Sequence, residues 1–287
     1  MQNKKTKIVE CPRDAMQGLH HFISTKDKIN YINLLLSMGF DTIDFGSFVS
    51  PKAIPQMKDT AEVLKAMDLS TTRSKLLAIV ANERGARDAC AFEQIDYLGY
   101  PFSISEEFQK RNTNSTIEES LHRVEVIQKL CKKNQKQLVI YISMAFGNPY
   151  EEPWHPDIAT HWALRLNKEL EVDIIALSDT IGAASPAQIS DSFKTLLPEL
   201  PNVEVGAHLH TTPQHWEQKV ESAYKAGCRR FDGAIRGYGG CPMAMDELTG
   251  NMPTEMLIAY LEKQGTIDPF DEGLLQKAIE QASQLMG

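Results

Sequence analysis

The chain has 287 residues, of which 42% are hydrophobic and 24% charged, and its formal net charge is −8. This is the make-up of an ordinary globular protein and argues against a nucleic-acid or membrane-surface partner; the densest basic stretch, KLCKKNQK (129–136), reads as a solvated helix end. Five cysteines without a C-x-x-C pair speak against a disulfide framework and a closed structural zinc site, no apolar run reaches the ~18 residues that span a bilayer, and MQNKKTKIVECPRD enters strand-like sequence without an apolar leader core, so a cytoplasmic protein is expected.

Short β-rich runs alternate with longer helical patterns, the signature of a parallel α/β fold. KIVEC (7–11) predicts a strand. STKDKINYINLLLSMG (24–39) predicts a helix, with Ser24 or Thr25 as its cap and Gly39 as its stop. TIDFGSF (42–48) and a helix near 59–68 form the second unit, SKLLAIV (74–80) and the stretch 83–92 the third. QIDYLGYPF (94–102) is followed by a capped helix over 115–133, and QLVIYISMAF (137–146) by a helix beginning near Pro156. DIIALSDT (173–180) precedes a helix that starts near Pro186. VEVGAHLH (203–210) precedes one that ends near Ala226, and RRFDGAI (229–235) precedes one over 254–263; the tail 271–286 reads as a further helix. Eight consecutive βα units without a Pro/Ser/Gly-rich linker predict one (β/α)8 TIM barrel over about 7–265, with a C-terminal helical tail over about 266–287, the whole of 1–287 forming a single catalytic domain. A doubly wound sheet is the alternative, which the unbroken run of eight units fits less well.

In such a barrel the active site lies where the strands end at their C-terminal side. The polar residues that stand out in otherwise apolar surroundings fall there: Arg13 and Asp14 after the first strand, Asp44 and Ser47 on the second, Asp179 and Thr180 after the sixth, His208 and His210 at the end of the seventh, and Cys241 in the loop GYGGCP after the eighth. His208 and His210, two apart on a strand, project to one face. Paired histidines at a strand end, with a carboxylate available at another, point to a metal site more than to two satisfied strand-end histidines. Asp14 is the expected oxygen ligand and Asn251 a further one. Two nitrogens, two oxygens and open positions suit a six-coordinate Mg²⁺ or Mn²⁺ ion, with Zn²⁺ or Co²⁺ left open. Cys11, Cys90, Cys131 and Cys228 sit in strand or helix patterns and read as structural. The glycine loop is not a dinucleotide fingerprint, and neither a P-loop nor a G-x-S-x-G elbow occurs.

Taken in order, IVECPRDAMQ, GSFVSPKAIPQMKDTAEVL (46–64), GNPYEE, SDTIGAASP, HLH, GGCP and GN resemble the hydroxymethylglutaryl-CoA lyase branch of the metal-dependent lyase and aldolase TIM barrels, over about 7–265. The resemblance implies that Asp14, His208, His210 and Asn251 bind the divalent metal and that Arg13 stabilises the enolate left by C–C cleavage. It further implies that Cys241 protonates the nascent acetyl-CoA carbanion and that Asp179 supports proton abstraction from the substrate hydroxyl. Gln17, Asp44, Ser47 and Thr180 are expected to line the substrate. The implied reaction is cleavage of 3-hydroxy-3-methylglutaryl-CoA to acetyl-CoA and acetoacetate by retro-Claisen chemistry, with a small acyl-CoA as partner and a homo-oligomer as the assembly. Asp44 stands where the family usually has Glu, Thr211 where it has Asp, His20 near a usual Lys, and Asp246 and Glu247 where small residues are usual. These departures keep open a related lyase acting on another 3-hydroxy acyl-CoA or acid, and a drifted paralogue without catalysis.

Overall fold

The computed structural model describes residues 5–240 and 249–287. Strand β1 (Lys7–Glu10) leads at once into a six-residue helix, α1 (Pro12–Gln17), with Pro12 at its first position. The chain then alternates through α2 (Thr25–Leu36), β2 (Thr42–Ser47), α3 (Thr60–Ala66), β3 (Lys75–Ile79), α4 (Glu83–Cys90) and β4 (Tyr97–Ser103). Two helices follow, α5 (Glu106–Thr113) and α6 (Ile117–Lys133), before β5 (Gln137–Ser143), α7 (Pro156–Leu170), β6 (Ile174–Asp179) and α8 (Pro186–Glu199). The last units are β7 (Glu204–Thr211), α9 (Trp216–Lys225), β8 (Arg230–Gly233), the two-residue strand β9 (Gly250–Asn251), α10 (Thr254–Lys263) and α11 (Glu272–Met286).

Each of β1 to β7 pairs in parallel with its successor, and β8 pairs with β1, so the sheet closes into the eight-stranded barrel that the alternation of elements predicts. Helix starts carry the local chemistry expected of them. Ser24 accepts from the Asp27 amide, Thr116 and Glu119 form a reciprocal capping box, and Ser185 with Gln188 forms another. Strands β2, β6 and β8 are buried at every residue, because helices cover one face and barrel-filling side chains the other. Leu77, Tyr97, Val139, Tyr141, Ile174 and Ala176, from four successive strands, pack as one interior cluster; a larger cluster joins barrel and helices. Among the described residues no helix is long and apolar enough to cross a membrane.

Sequence periodicity misses three elements. Helix α1 is shorter than two turns, α5 has few apolar side chains to mark a face, and β9 has only two residues. All three carry residues of the candidate site.

Candidate active site

Helix α1 stands at the C-terminal mouth of the barrel, and its single turn and a half fixes three polar side chains together. Arg13 lies one residue from Asp14 and four from Gln17, within reach of both. Its Nη1 donates to Asp14 Oδ1 at 2.8 Å and to Gln17 Oε1 at 3.0 Å. The rest of the guanidinium grips Asp44 on β2, through Nε at 3.0 Å and through Nη2. Gln17 Nε2 in turn donates to Asp14. Arg13 is 8% exposed and Asp44 fully buried, so this fork is an internal one and well shielded from water. Burial would lower the Arg13 pKa, but the Asp44 and Asp14 charges overcome it and hold the guanidinium protonated. Burial and the neighbouring Asp14 and Asp232 carboxylates raise Asp44 to about 6 against the pull of Arg13. Burial works against the charge of Asp14 as well, yet Arg13, the two histidines and the Asn251 amide outweigh it and bring Asp14 down to about 2.

His208 and His210 project from the end of β7 as their spacing predicts, with ring centroids 5.3 Å apart. Ligand atoms of Asp14, His208 and His210 all lie within 4.8 Å of one another. The environment suits a cation. His210 is 2% exposed, yet neither of its ring nitrogens makes a hydrogen bond of ordinary geometry, a cost that a bound ion would remove. Burial, then the neighbouring His208, lowers its pKa to about 4, so the ring is neutral and its lone pair available. Nδ1 of His208 lies 3.2 Å from Asp232 Oδ2 on β8, an arrangement that holds the proton on Nδ1 and leaves Nε2 to ligate. Burial lowers the His208 pKa, but the bond to Asp232 and its charge carry it above the ordinary value.

Asn251 arrives from far along the chain through β9, which pairs antiparallel with the end of β7 so that Asn251 stands opposite His210. Its Nδ2 donates to Asp14 Oδ2 at 2.8 Å and to the Tyr238 carbonyl at 2.9 Å, which leaves Oδ1 for a cation. The segment leading to the glycine loop passes directly over this pair. At Gly239, with φ +91°, a Cβ would stand 2.6 Å from the Asp14 carbonyl and 2.9 Å from Asn251 Nδ2, so only glycine allows the crossing. Cys241, Asp246 and Glu247 fall at 241–248, outside the described residues.

A cavity of about 450 Å³ opens beside this cluster, lined by Arg13, Asp14, Gln17, Ser47, Thr180, His208 and His210 among others. Ser47 reaches it because β2 and β3 shift register between Asp44 and Gly46; there Thr60 packs so closely that a Cβ on Gly46 would lie 2.5 Å from its methyl, and Thr60 Oγ1 accepts from the Ser47 amide. Thr180 Oγ1 accepts from the Met144 amide at 2.8 Å.

Two expected site residues do not reach the cavity. Asp44 is held by Arg13 Nε and Nη2 and is not among the residues that line the cavity. Asp179 is the second. On β6 the alternation of side chains sends Ser178 and Thr180 to the cavity and Asp179 to the helix layer. There Lys219 Nζ donates to Asp179 Oδ2 at 2.6 Å, and Asp179 Oδ1 accepts from the Ala184 amide at 3.1 Å. Lys219 also donates to the carbonyls of Gly182 and His210, at 2.8 Å each, so the pair braces the back of β7.

Sequence reasoning missed Asp232, Lys219, Ser178, Tyr141 and Arg111. Asp232 had a legible signal, an acid inside the apolar run RRFDGAI. Arg111 and its neighbours reach the cavity from α5, the element without a sequence signature.

A closed parallel barrel with a His-x-His pair, a carboxylate and an arginine fork at its C-terminal mouth defines the class of metal-assisted TIM-barrel enzymes. Residues 6–286 match the family model described as HMGL-like, and the chain belongs to that family. It is 34% identical to hydroxymethylglutaryl-CoA lyase YngG of Bacillus subtilis over 272 residues, 91% of this chain and 86% of that protein. To the mitochondrial hydroxymethylglutaryl-CoA lyase of Homo sapiens it is 33% identical over 265 residues, 91% of this chain and 80% of that one. Among solved structures, an HMG-CoA lyase from Acinetobacter baumannii in complex with coenzyme A and 3-methylmalate superposes with a TM-score of 0.91 at 29% identity, covering 100% of this chain and 93% of that chain.

Proposed function

We propose that this chain is a divalent-metal-dependent carbon–carbon lyase that cleaves 3-hydroxy-3-methylglutaryl-CoA to acetyl-CoA and acetoacetate. The observation that carries the reading is the Asp14–His208–His210 donor set beside the Arg13 fork at the edge of the cavity. Relatives named as lyases for this thioester, at about one-third identity over nine-tenths of the chain, support the substrate. Asp14, His208, His210 and Asn251 would hold a Mg²⁺ or Mn²⁺ ion, with Zn²⁺ or Co²⁺ as substitutes; when bound, such an ion acidifies a chelated hydroxyl and polarises carboxylate and carbonyl oxygens.

The residues then divide the work of one bond cleavage. The substrate hydroxyl gives up its proton, its oxygen becomes the ketone of acetoacetate, and the breaking C–C bond leaves its electron pair on the acetyl-CoA side as an enolate. Arg13, held by Asp44 and Asp14, offers a fixed positive charge to that developing oxygen. Cys241 is the proposed donor of the proton that quenches the carbanion. Gln17, Ser47 and Thr180 position the substrate within the cavity. Asp179, paired with Lys219 behind the barrel wall, acts as a brace. The acceptor of the hydroxyl proton is therefore sought among groups that face the cavity.

In the same reading residues 1–287 form one catalytic domain, a barrel over about 7–265 with its helical tail, working in the cytoplasm as a homo-oligomer on a small acyl-CoA, with no nucleic-acid or membrane partner. The retracted Asp44, where the family usually has the longer Glu, favours a second reading in which the substrate is a different 3-hydroxy acyl thioester or acid.

The test is to incubate chelator-stripped protein with 3-hydroxy-3-methylglutaryl-CoA, with and without Mg²⁺ or Mn²⁺, and assay acetoacetate, running Cys241→Ala and His208→Ala alongside. Metal-dependent acetoacetate that both variants lose supports the lyase. Tight metal binding without product moves the reading to the related substrates, and neither metal binding nor product leaves a drifted, non-catalytic paralogue.

A further inference from the structure

His208 belongs to two groups of potential ligands. One faces the cavity with Asp14 and His210. The other joins it to Cys11 and Asp232, and the ligand atoms of these three also stand within 4.8 Å of one another. Cys11 follows β1 and Asp232 lies on β8, so three neighbouring strands of the closed barrel supply one donor each. We infer that Cys11, His208 and Asp232 form a second cation site of softer character than the first, suited to Zn²⁺ or Co²⁺, which shares His208 with the Asp14–His210 set.

Four observations support it. The donor set of thiol, imidazole and carboxylate is the mixture that zinc and cobalt accept and magnesium does not. Nδ1 of His208 and Oδ2 of Asp232 are 3.2 Å apart, against about 3.3 Å for the edge of a tetrahedron with arms of ~2.0 Å. Asp232, only 3% exposed, keeps its Oδ1 without any hydrogen-bond partner, where a buried carboxylate would ordinarily be satisfied on both oxygens. The Cys11 thiol donates only a long contact of 3.7 Å to the Val9 carbonyl, so no strong bond must be broken to recruit it.

The charge around the set points the same way. Burial, then the carboxylates of Asp232, Asp44 and Asp14, push the Cys11 thiol well above its usual range, so it keeps its proton until an ion binds, and of these causes only the carboxylates favour a cation. Of the positive charges near the set, Arg13 is engaged with Asp44 and Asp14, while Arg230 meets Glu204 only through Nη1 at 3.4 Å and its buried charge also bears on Asp232, so an entering ion competes with that guanidinium for the carboxylate. An ion entering past His208, which lines the cavity, forms bonds to sulfur, nitrogen and oxygen; the Cys11 proton leaves to solvent and the His208 proton moves from Nδ1 to Nε2, so the ring serves one set at a time. Three protein ligands leave one tetrahedral position for water. The site depends on no assignment of the lyase reaction.

Cobalt reports it directly, because a thiolate ligand gives Co²⁺ an intense charge-transfer band in the near ultraviolet that nitrogen and oxygen ligands do not. Metal-free protein, kept reduced and anaerobic, is titrated with Co²⁺ and its absorbance followed. The wild-type protein is expected to show the band. Cys11→Ser is expected to lose it, whereas Cys241→Ser, which removes the other cysteine assigned near the cavity, and Asp14→Asn, which disables only the first set, are expected to keep it. Circular dichroism of each variant checks its fold, and Asp232→Asn, which preserves side-chain volume, stands in if Cys11→Ser does not fold, with a higher Co²⁺ concentration needed to reach the band. A wild-type protein without the band at saturating Co²⁺, a band that survives in Cys11→Ser, or one that disappears in Cys241→Ser overturns the site. None of these readouts uses turnover, so failure of the lyase assay leaves this test intact.

Discussion

Nδ1 of His208 lies 3.2 Å from Oδ2 of Asp232, one strand over, and the carboxylate is almost wholly buried. The bond selects the tautomer with its proton on Nδ1 and so keeps Nε2 free on the side of Asp14 and His210. Partners of this kind commonly account for ~10–100-fold in metal affinity. Asp232→Asn is therefore expected to weaken Mn²⁺ binding within that range, followed as the loss of the free-ion signal in electron paramagnetic resonance. Unchanged affinity in a folded variant would show that His208 is held by its ring packing against Tyr141, 5.4 Å between centroids, instead of by the acid.

Arg13 tests geometry against charge. Its Nε and Nη2 meet Asp44 while Nη1 bridges Asp14 and Gln17, a pattern that needs a planar fork. Arg13→Lys keeps the positive charge and cannot make both sets of bonds. If the fixed guanidinium stabilises a developing enolate oxygen, the lysine variant should lose kcat by roughly the 10²–10³-fold typical of removing one such donor, with little change in circular dichroism. A variant that retains wild-type kcat would remove Arg13 from the chemistry.

The barrel was legible because eight apolar runs alternate with helical patterns, and their cap residues behave as capping chemistry requires. His208 and His210 were legible because strand geometry alone puts residues two apart on one face. The same rule, applied one residue further back on β6, would have separated Asp179 from Ser178 and Thr180, since neighbours on a strand face opposite ways. Asp232 was visible as an acid in an apolar strand, but nothing in the sequence says that it faces a histidine, because that pairing depends on how β7 and β8 align. Asn251 was legible as an amide donor just before the last barrel helix, a reading the resemblance repeats, but its position depends on the antiparallel pairing of β9, a two-residue strand too short to have a period. Arg111 depended on α5, whose polar surface hides it from any pattern search.

The Lys219–Asp179 pair makes a stability prediction. Both side chains are buried, and Lys219 also holds the carbonyls of Gly182 and His210. Lys219→Met strands a buried carboxylate, which typically costs ~3–5 kcal/mol. At roughly 2–4 °C per kcal/mol for a chain of this size, the melting temperature should fall by about 6–20 °C. Adding Asp179→Asn removes the stranded charge, so the double variant should melt above Lys219→Met. Calorimetry of the two single variants and the double closes the cycle, and purely additive losses would show that the pair is not coupled.

Glu10 gives a pH dependence of known sign. Its carboxyl is fully buried beneath the two ends of the glycine-loop segment, accepting from the Ile235 amide at 3.0 Å and from Thr254 Oγ1 at 2.5 Å. Burial outweighs both bonds and raises its pKa from 4.5 to about 8. Across that window the native protein keeps a proton at Glu10 that the unfolded chain has released, so the contribution of this group to stability is complete below about 4.5 and is lost as pH climbs to about 8. The limiting slope for one proton is about 1.4 kcal/mol per pH unit. Glu10→Gln carries no titrating group, and its amide can accept from Ile235 and donate to Thr254. Urea unfolding of both proteins from pH 5 to 8.5 should therefore show the variant gaining on the wild type as pH rises, while every other titrating group cancels in the difference. Parallel curves would mean that Glu10 is ionised in the folded protein, with its two bonds repaying the burial.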